Sequence, residues 1–287
     1  MKKIYSIVVT YNPDLKDLNQ AVERLKKQTD KVVVCNNSSF DIEFEDEKVK
    51  IFNLKENLGV AKAQNIGMKW AFENGADFIL QMDQDSIPDE NLVKNLLNCY
   101  DELTRKGYKI GLVGPQDYDK DSKEINKARV RKGTYIDGTN YVSLEQTLSS
   151  GSLISKNVYD MIGGMDDDLF IDAVDSEYCW RMRKNGFLVV KNNNALLAHK
   201  LGNGKKTIMG FLRIGISDPI RHYYQVRNTL LLFKRDYTPN YWKYSGLVKI
   251  IFKLVVYPII LDHGYERFRY ILLGIKDGLL GKSGKLK

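Results

Sequence analysis

Apolar runs that alternate with amphipathic helical patterns fill the first half of the sequence and constrain its fold most strongly. Ile4–Thr10 (IYSIVVT) is a continuous, β-branched apolar run, which is typical of a strand buried on both faces. Asn12-Pro13 then supplies a helix N-cap and a proline at the first helical position, and apolar residues at helical spacing predict a helix over Pro13–Gln28. Strands that alternate with helices form βαβ units, so the pattern predicts an α/β fold with a mostly parallel sheet flanked by helices.

The alternation continues through several further elements. We predict strands at Lys31–Cys35, Val49–Leu54 and Asp77–Met82, and helices at Val60–Asn74 and from Pro88 onwards. In sheets of this kind ligands bind beyond the carboxyl ends of the strands, and we expect the functional site there.

The second half of the sequence is less regular. Extended segments are predicted within Gly133–Ser155, short strands near Phe187–Val190 and Ala195–His199, and helices at Asp175–Asn185 and Asp218–Arg235. The sequence contains neither an internal repeat nor a low-complexity linker. We therefore predict one α/β domain over residues 1–236 and a C-terminal helical extension over residues 237–287.

The composition restricts the class of protein. Of the 287 residues, 43% are hydrophobic and 28% are charged, which is ordinary for a globular chain and excludes a disordered or collagen-like one. The three cysteines, Cys35, Cys99 and Cys179, are far apart and indicate neither a disulfide framework nor a zinc motif. The N-terminus lacks the apolar core and the cleavage site of a signal peptide, so we predict a cytoplasmic protein.

The C-terminal residues 243–287 carry most of the net charge. They hold nine Lys or Arg and three Asp or Glu, whereas the whole chain has a net charge of +8. Gly246–Leu261 is strongly apolar, but Lys249, Lys253 and Pro258 interrupt it, and a bilayer span needs ~20 apolar residues. The pattern favours an amphipathic helix lying on a membrane surface, with its lysines towards anionic head groups. The alternative is a helix packed on the body of the protein, with solvated lysines.

Two acidic residues, Asp83 and Asp85, stand at the end of a predicted buried strand in QMDQDSIP (Gln81–Pro88). Residues two apart in an extended segment point the same way, so both carboxylates face one point. Such a pair suits Mg²⁺ or Mn²⁺ bound together with substrate phosphates, where the metal acts as a Lewis acid on a diphosphate leaving group. The alternative is a polar turn in which Asp85 or Ser86 caps the next helix.

A turn from strand to helix in NLGVAKAQNIG (Asn57–Gly67) offers backbone N–H groups and the positive end of a helix dipole to an anion. Ordinary turn chemistry followed by an alanine-rich packed helix explains the same residues. Taken alone, the segment is therefore a weak indication of phosphate binding.

Three acids stand close together, at Asp172, Asp175 and Glu177, and are flanked by apolar side chains. Burial beside like charges raises the pKa of a carboxyl group and makes it suitable as a general base. Acids at the start of a helix also complement the helix dipole, which explains at least one of the three without catalysis.

Three basic residues are further candidates. His199 ends an apolar run, where a third metal ligand is well placed, although a lone histidine is usually structural. Arg221 and Arg227 are suited to donating charge-assisted hydrogen bonds to phosphate oxygens. The alternative is that both are ordinary surface arginines.

Taken in order, these segments resemble the inverting glycosyltransferases of family 2, which have the Rossmann-like GT-A fold, and among them the bacterial rhamnosyltransferases of polysaccharide biosynthesis. The resemblance spans nearly the whole chain. The matching segments are VVTYNP (Val8–Pro13), NLGVAKAQNIG (Asn57–Gly67), QMDQDSIP (Gln81–Pro88), SGSLIS (Ser150–Ser155), FIDAVDSEYCWRMRKNG (Phe170–Gly186), His199, YYQVRN (Tyr223–Asn228) and KDGLLGKSGK (Lys276–Lys285).

The resemblance implies a role for each matching residue. Asp175 matches the catalytic aspartate that removes a proton from the acceptor hydroxyl, and Asp172 or Glu177 would orient the acceptor. Asp83, Asp85 and His199 would hold Mn²⁺ or Mg²⁺ on the donor diphosphate. The residues expected to bind the nucleotide sugar are Thr10, Tyr11, Asn12, Asn36, Asn57, Lys62, Asn65, Asp83, Gly151 and Arg227.

The sequence departs from the family pattern at two positions. The second strand of relatives usually ends in an aspartate that contacts the nucleotide base, whereas this chain has Asn36, whose amide both donates and accepts hydrogen bonds. Gln64 stands where many relatives carry an arginine, which removes one phosphate contact. The base of the donor is therefore less firmly implied than the fold.

The function implied by the resemblance is metal-dependent, inverting transfer of L-rhamnose from dTDP-L-rhamnose to a polyprenyl-diphosphate-linked glycan. Such an enzyme would lie peripherally on the inner face of the cell membrane and serve cell-wall or surface polysaccharide synthesis. A homodimer is left open. Alternatives are a UDP-hexose or UDP-galactofuranose donor, and a non-catalytic peripheral membrane subunit with the same fold. A nucleic-acid partner is disfavoured because the sequence has no nucleic-acid-binding motif.

Overall fold

A single large sheet organises the molecule. The computed structural model describes residues 2–120, 122–125, 133–199 and 217–286, and the backbone of 205–208 and 212–215. The strands are β1 (Ile4–Thr10), β2 (Lys31–Asn36), β3 (Val49–Asn53), β4 (Phe78–Asp83), β5 (Ile87–Pro88), β6 (Ile110–Asp119), β7 (Thr134–Tyr135), β8 (Tyr141–Leu144), β9 (Ser152–Ser155), β10 (Leu188–His199), β11 (Lys205–Ile208) and β12 (Leu212–Gly215). The first ten form the large sheet in the order β3-β2-β1-β4-β9-β6-β10-β8-β7, with β5 paired to β10, and β11 and β12 form a separate hairpin.

Helices cover both faces of the large sheet. They are α1 (Leu15–Lys26), α2 (Val60–Glu73), α3 (Leu92–Arg105), α4 (Lys156–Ile162), α5 (Val174–Lys184), α6 (Pro219–Phe233), α7 (Asn240–Ile260) and α8 (Gly264–Leu279), with a 3-10 turn at Asp167–Leu169. Helices α1 and α3 share one apolar layer with the sheet, and α2 and α5 share the other. The predicted α/β class is confirmed, and every residue of β1 is buried as its sequence predicts.

The carboxyl ends of the central parallel strands meet at one edge of the sheet. Strand β1 pairs in parallel with β2 and with β4, so that Thr10 lies opposite Asn36 and Val9 lies opposite Asp83. This register places the chain segments that follow the three strands side by side. It is the position at which parallel sheets bind ligands.

The sheet is mixed, and the prediction of a mostly parallel sheet was wrong in its second half. Strand β9 lies antiparallel between β4 and β6, and β5, β7 and β8 also pair antiparallel with their neighbours. The four residues of β9, Ser152–Ser155 (SLIS), are buried, and their pattern is nearly the same in both directions. The sequence therefore does not indicate whether the strand runs parallel or antiparallel to its neighbours. The polarity is set by tertiary pairing with β4 and β6.

Several predicted element boundaries differ from the structure, and three of the differences change a cap or a strand pairing. Helix α1 is capped by Asp14, whose Oδ1 accepts from the N–H groups of Lys16 (2.8 Å) and Asp17 (3.1 Å), and not by Asn12. Pro88 lies in β5, which pairs with the end of β10, and α3 begins four residues later at Leu92. The two strands predicted before and at His199 are one strand, β10, which contains a register shift between Asn192 and Leu196.

The C-terminal helices pack on α6. Val226, Ile250 and Ile271, from α6, α7 and α8 in turn, form a small shared core. The contact between α6 and α8 is close because a Cβ on Gly274 would lie 2.7 Å from the Tyr223 carbonyl oxygen. Within the described residues, none of the helices combines the length and the apolar character needed to cross a bilayer.

Candidate active site

A cavity of about 600 Å³ opens where the central parallel strands end, and we call it the sheet-end cavity. Its wall includes Thr10 and Tyr11 after β1, and Asp83 and Asp85 after β4. The opposite wall includes Arg221 from the first turn of α6. The predicted location of the site at the carboxyl ends of the strands therefore coincides with a large cavity.

Asp83, Asp85 and His199 lie together in this cavity, with one ligand atom of each within 4.8 Å of the others. Pairing of β5 with β10 carries His199 to the end of β4. Burial, together with the nearby carboxylates of Asp175 and Asp85, raises the pKa of the Asp83 carboxyl to about 7. Two carboxylates and an imidazole suit Mn²⁺ or Mg²⁺, and a divalent cation would relieve this concentration of negative charge. The donor set therefore fits the expected metal.

Two serines that the sequence reasoning did not select orient this cluster. Ser86 Oγ lies 2.8 Å from His199 Nδ1 and accepts a hydrogen bond from Ser150 Oγ at 2.9 Å. Ser150 Oγ in turn accepts from the Asp83 N–H at 3.1 Å. Such outer partners fix the orientation of metal-binding side chains. Their only signal in the sequence is their place in the QMDQDSIP and SGSLIS segments.

The residues after β1 are held by the residues after β4 and β2. The Tyr11 N–H donates to Gln84 Oε1 at 2.7 Å, and Gln84 Nε2 donates back to the Tyr11 carbonyl oxygen at 3.3 Å. The Asn12 N–H donates to Ser38 Oγ at 2.8 Å. Thr10 and Tyr11 thus line the sheet-end cavity, while Asn12 anchors the turn behind them.

The asparagines around β2 divide between structural and cavity positions. Asn36 is fully buried, where its Nδ2 donates to Asn53 Oδ1 at 2.9 Å, so this side chain does not line the cavity. Its neighbour Asn37 lines the cavity instead. Asn57 also lines the cavity, and its Oδ1 accepts from the Gly59 N–H at 2.9 Å.

Four other predicted binding residues lie outside the lining of the sheet-end cavity. Lys62 is exposed on α2, and Asn65 Nδ2 donates to Met165 O at 2.8 Å. Gly151 has a φ of +75°, and a Cβ there would lie 2.7 Å from Pro115 Cγ, so it is a packing position behind the cavity. Arg227, the fourth, is described next.

Arg227 is fully buried and does not reach the sheet-end cavity. Its guanidinium donates to the carbonyl oxygens of Asp168 (3.1 Å), Leu169 (3.0 Å) and Gly284, and packs over the Tyr224 ring at 5.0 Å. Arg221, six residues earlier on α6, lines the cavity in its place. Through these hydrogen bonds Arg227 links Gly284, near the C-terminus, and the residues just before Phe170 to α6.

The segment that leads into α5 has an unusual backbone. Phe170, Asp172 and Ala173 have φ values of 62°, 67° and 63°, a conformation that costs non-glycine residues about 1–3 kcal/mol each. Asn228 Nδ2 lies 2.9, 2.7 and 2.9 Å from the carbonyl oxygens of Leu169, Ile171 and Asp172, respectively. One buried amide from α6 thus holds the strained segment in place.

The three acids of this segment have different surroundings. Glu177 is buried and binds Arg181 in two contacts of 2.7 and 2.9 Å, and Asp172 pairs with Arg221 at 2.6 Å. Asp175 lies in the first turn of α5 and lines a second cavity of about 530 Å³, which we call the α7 cavity. Asp175 is also close enough to Asp83 to raise the pKa of that carboxyl. It therefore stands between the two cavities.

Comparison with known proteins settles the family. The family model described as Glycosyl transferase family 2 matches residues 6–162, which contain most of β1, the Asp83–Asp85 pair and β9. The chain belongs to glycosyltransferase family 2. This glycosyltransferase is 34% identical to the dTDP-rhamnosyl transferase RfbF of Shigella flexneri over 295 residues, covering 98% of this chain and 97% of that protein. It is accordingly an enzyme that uses a nucleotide-sugar donor.

Solved structures confirm a GT-A-like fold for this family-2 glycosyltransferase. Residues 1–349 of S. aureus TarS in complex with UDP-GlcNAc superpose with a TM-score of 0.60 at 14% identity, over 96% of this chain and 81% of that one. GalNAc-T7 with UDP, GalNAc and Mn²⁺ gives a TM-score of 0.58 at 13% identity, over 98% and 56%. The chain spans 54% of the longer TarS structure. At these identities the likeness concerns the fold alone.

Proposed function

We propose that this enzyme transfers L-rhamnose from dTDP-L-rhamnose to a sugar hydroxyl of a lipid-linked glycan, with inversion at the anomeric carbon. The observation that carries the proposal is the position of Asp175, which borders the α7 cavity and interacts with Asp83 of the sheet-end cavity. A donor in the sheet-end cavity and an acceptor in the α7 cavity would therefore both reach Asp175. The choice of dTDP-rhamnose is supported by the full-length similarity to a dTDP-rhamnosyl transferase.

The sheet-end cavity would bind the nucleotide and its diphosphate. Tyr11 and Asn37 line the part of the cavity next to β1 and β2, where the base and its sugar fit. Asp83, Asp85 and His199 would hold a divalent cation, which supplies Lewis acidity to the departing diphosphate. Arg221 lines the opposite wall and directs a fixed positive charge towards the phosphate oxygens.

Asp175 would act as the general base. It removes the proton of the acceptor hydroxyl while that oxygen bonds to the anomeric carbon, and the bond from that carbon to the phosphate oxygen breaks on the opposite side. This in-line displacement gives an α-rhamnoside from a β-linked donor. General-base assistance contributes ~10²–10⁴-fold to the rate.

The outer surfaces of α7 and α8 would bind the cell membrane at its inner face. Tyr244, Val248, Ile251, Val255 and Ile259 recur on one side of α7 and are exposed. Exposed apolar residues at helical spacing, flanked by lysines and arginines, suit a membrane interface with anionic lipids. Lys253 does not point to this surface but into the protein, which differs from the expectation that it faces head groups.

A panel of nucleotide sugars tests the proposal. Thermal unfolding is measured with dTDP-L-rhamnose, UDP-glucose and UDP-galactofuranose, each with and without Mn²⁺, because a ligand at a hundredfold excess over its dissociation constant adds ~2.7 kcal/mol to the stability of the native state. We expect a Mn²⁺-dependent rise in Tm with dTDP-L-rhamnose. A rise with UDP-sugars alone would show that the donor is a UDP-sugar, and no rise with any of these donors would contradict the proposed donor site.

A further inference from the structure

A smaller cavity of about 240 Å³ lies between α5, α6 and α7, next to the α7 cavity. The two cavities share Ser176, Trp242 and Lys249, so that one continuous space, which we call the acceptor cleft, runs from Asp175 to Lys253. Gly246 contributes to this space, because its missing side chain brings α7 close to Thr229 of α6. The cleft begins at the carboxylate proposed to be the base and ends in a lysine.

The acceptor cleft contains two ammonium groups without a matching carboxylate contact. Lys253 is half-buried, and its Nζ donates to the neutral Oε1 of Gln225. The carboxylate of Asp172, which faces the same space, is already bound by Arg221 through contacts of 2.6 and 3.2 Å. In the part of the chain that the structure describes, no carboxylate oxygen forms an ion pair with Lys249 or Lys253.

The surroundings of Lys253 make its charge costly. Burial lowers its pKa to about 8, with Lys249 and Arg221 opposing the charge and Asp172 favouring it. An ammonium group removed from water is stabilised by an anion that enters the same space. The lining also includes Ser176, Thr229 and Trp242, which supply two hydroxyls and an aromatic ring of the kind that sugars contact.

We infer that Lys249 and Lys253 bind the diphosphate of the acceptor, so that the enzyme selects an acceptor whose reacting sugar is carried on a diphosphate ester. This inference rests on the proposed function. It names the part of the acceptor that the cleft recognises, and it assigns the two lysines to substrate binding instead of membrane binding.

The position of the cleft relative to the outer face of α7 agrees with this assignment. Both lysines line the cleft, Lys253 half-buried and Lys249 exposed to solvent, while Val248, Ile251 and Ile259 are exposed elsewhere on the same helix. A helix with its side chains is ~10 Å across, which is the separation between the cleft and the outer surface. The diphosphate of a lipid held at the membrane surface would therefore have to pass only α7 to reach the two lysines.

Binding of inorganic pyrophosphate tests the site without catalysis. Titration calorimetry is run in metal-free buffer, because without the cation the Asp83, Asp85 and His199 cluster of the sheet-end cavity does not bind a diphosphate. Lys249→Met and Lys253→Met should each weaken pyrophosphate binding about tenfold, because each removes a charge-assisted hydrogen bond. Lys253→Arg should retain binding. Lys243→Met is the matched control, since Lys243 lies on α7 outside both cavities, over the Phe233 ring. Equal binding by all variants would overturn the inference.

Two acceptors that carry the same sugar, one with a diphosphate and one without, test whether the lysines recognise the acceptor diphosphate. With an alkyl diphosphate ester of a sugar, Lys253→Met should raise KM about tenfold at little changed kcat, and with the uncharged alkyl glycoside of the same sugar it should change neither. Loss of binding to phosphatidylglycerol vesicles in Lys253→Met, but not in Lys243→Met, would instead assign the lysines to lipid head groups and contradict the inference. If the wild type transfers no rhamnose but binds pyrophosphate through the two lysines, the proposed donor fails and the anion site stands.

Discussion

Asp172 and Arg221 form a two-point ion pair, with Nη2 to Oδ1 at 2.6 Å and Nε to Oδ2 at 3.2 Å, at the boundary between the two cavities. Arg221 lines the sheet-end cavity and Asp172 lines the acceptor cleft. The pair therefore occupies the Asp172 carboxylate, which among the described residues favours the charge of Lys253.

Replacing the proposed base should affect chemistry and not donor binding. Asp175→Asn keeps the size of the side chain but cannot accept the proton, so kcat should fall by ~10²–10⁴-fold. The Tm shift with dTDP-L-rhamnose should match that of the wild type. Near wild-type activity in this variant would remove Asp175 from the role of base.

Removing a member of the proposed metal cluster should abolish the metal-dependent part of donor binding. In Asp85→Ala and His199→Ala, Mn²⁺ should no longer increase the Tm shift produced by dTDP-L-rhamnose, because two of the three clustered ligand atoms are too few to hold the cation. Asp160→Ala is the control, since Asp160 pairs with Lys156 on the surface. An unchanged Mn²⁺ effect in His199→Ala would limit the cluster to the two aspartates.

Removing the Asn228 amide should destabilise the protein and also slow the reaction. Asn228→Ala removes the Asn228 donor from the carbonyl oxygens of Ile171 and Asp172, while Leu169 keeps its hydrogen bond from Arg227, at a cost of roughly 1–3 kcal/mol in urea unfolding. Because these carbonyls belong to the strained segment before Asp175, kcat should fall as well. A loss of stability with an unchanged kcat would show that the strained conformation is not needed for catalysis.

Pyrophosphate binding to the acceptor cleft should weaken with rising pH. The Lys253 ammonium, with a pKa lowered to about 8, is charged below that pH and loses its charge above it, so the dissociation constant should rise between pH 7 and 9. The neighbouring charges of Asp172, Arg221 and Lys249 face the same group, and His222 is neutral throughout because its pKa is lowered to about 4. Lys253→Met should bind weakly with a flatter pH profile. If the dissociation constants of the wild type and of Lys253→Met changed with pH in parallel, the titrating group would be one other than Lys253.

The outer face of α7 should be required for membrane binding. Ile251→Glu and Ile259→Glu place a negative charge on side chains that are 64% and 80% exposed, so the fold should be retained while cosedimentation with anionic vesicles decreases. Met161→Glu is the control, because Met161 is 64% exposed on α4, away from the C-terminal helices. Equal vesicle binding by all three variants would contradict a membrane role for this face.

The sequence predicted the elements that carry their own periodicity. Strand β1 matches its prediction residue for residue, and the strand ends predicted the positions of the Asp83–Asp85 pair and of His199, while the family resemblance implied that the three share one metal. Strand ends that share an edge of a sheet bring such residues together. This part of the site followed from local patterns.

The remainder depends on tertiary packing that no local pattern encodes. Asn36 and Asn37 are adjacent in the sequence. Because β2 ends at Asn36, the side chain of Asn37 and not that of Asn36 faces the cavity. Arg227 carries the same charge as Arg221, but the turn of α6 buries it beneath the C-terminal tail. Lys253 points inward because α7 packs against α6 at Gly246, and an apolar helix with two lysines is equally compatible with the opposite orientation.

Transfer from labelled donors into membrane lipid tests the central claim most directly. The enzyme is incubated with bacterial membranes and radiolabelled dTDP-L-rhamnose or a labelled UDP-sugar, and label is counted in the lipid fraction before and after mild acid, which cleaves sugar diphosphate linkages. The account predicts acid-labile label from dTDP-L-rhamnose with the wild type and almost none with Asp175→Asn. Label from the UDP-sugar alone, or equal incorporation by the two proteins, would contradict it.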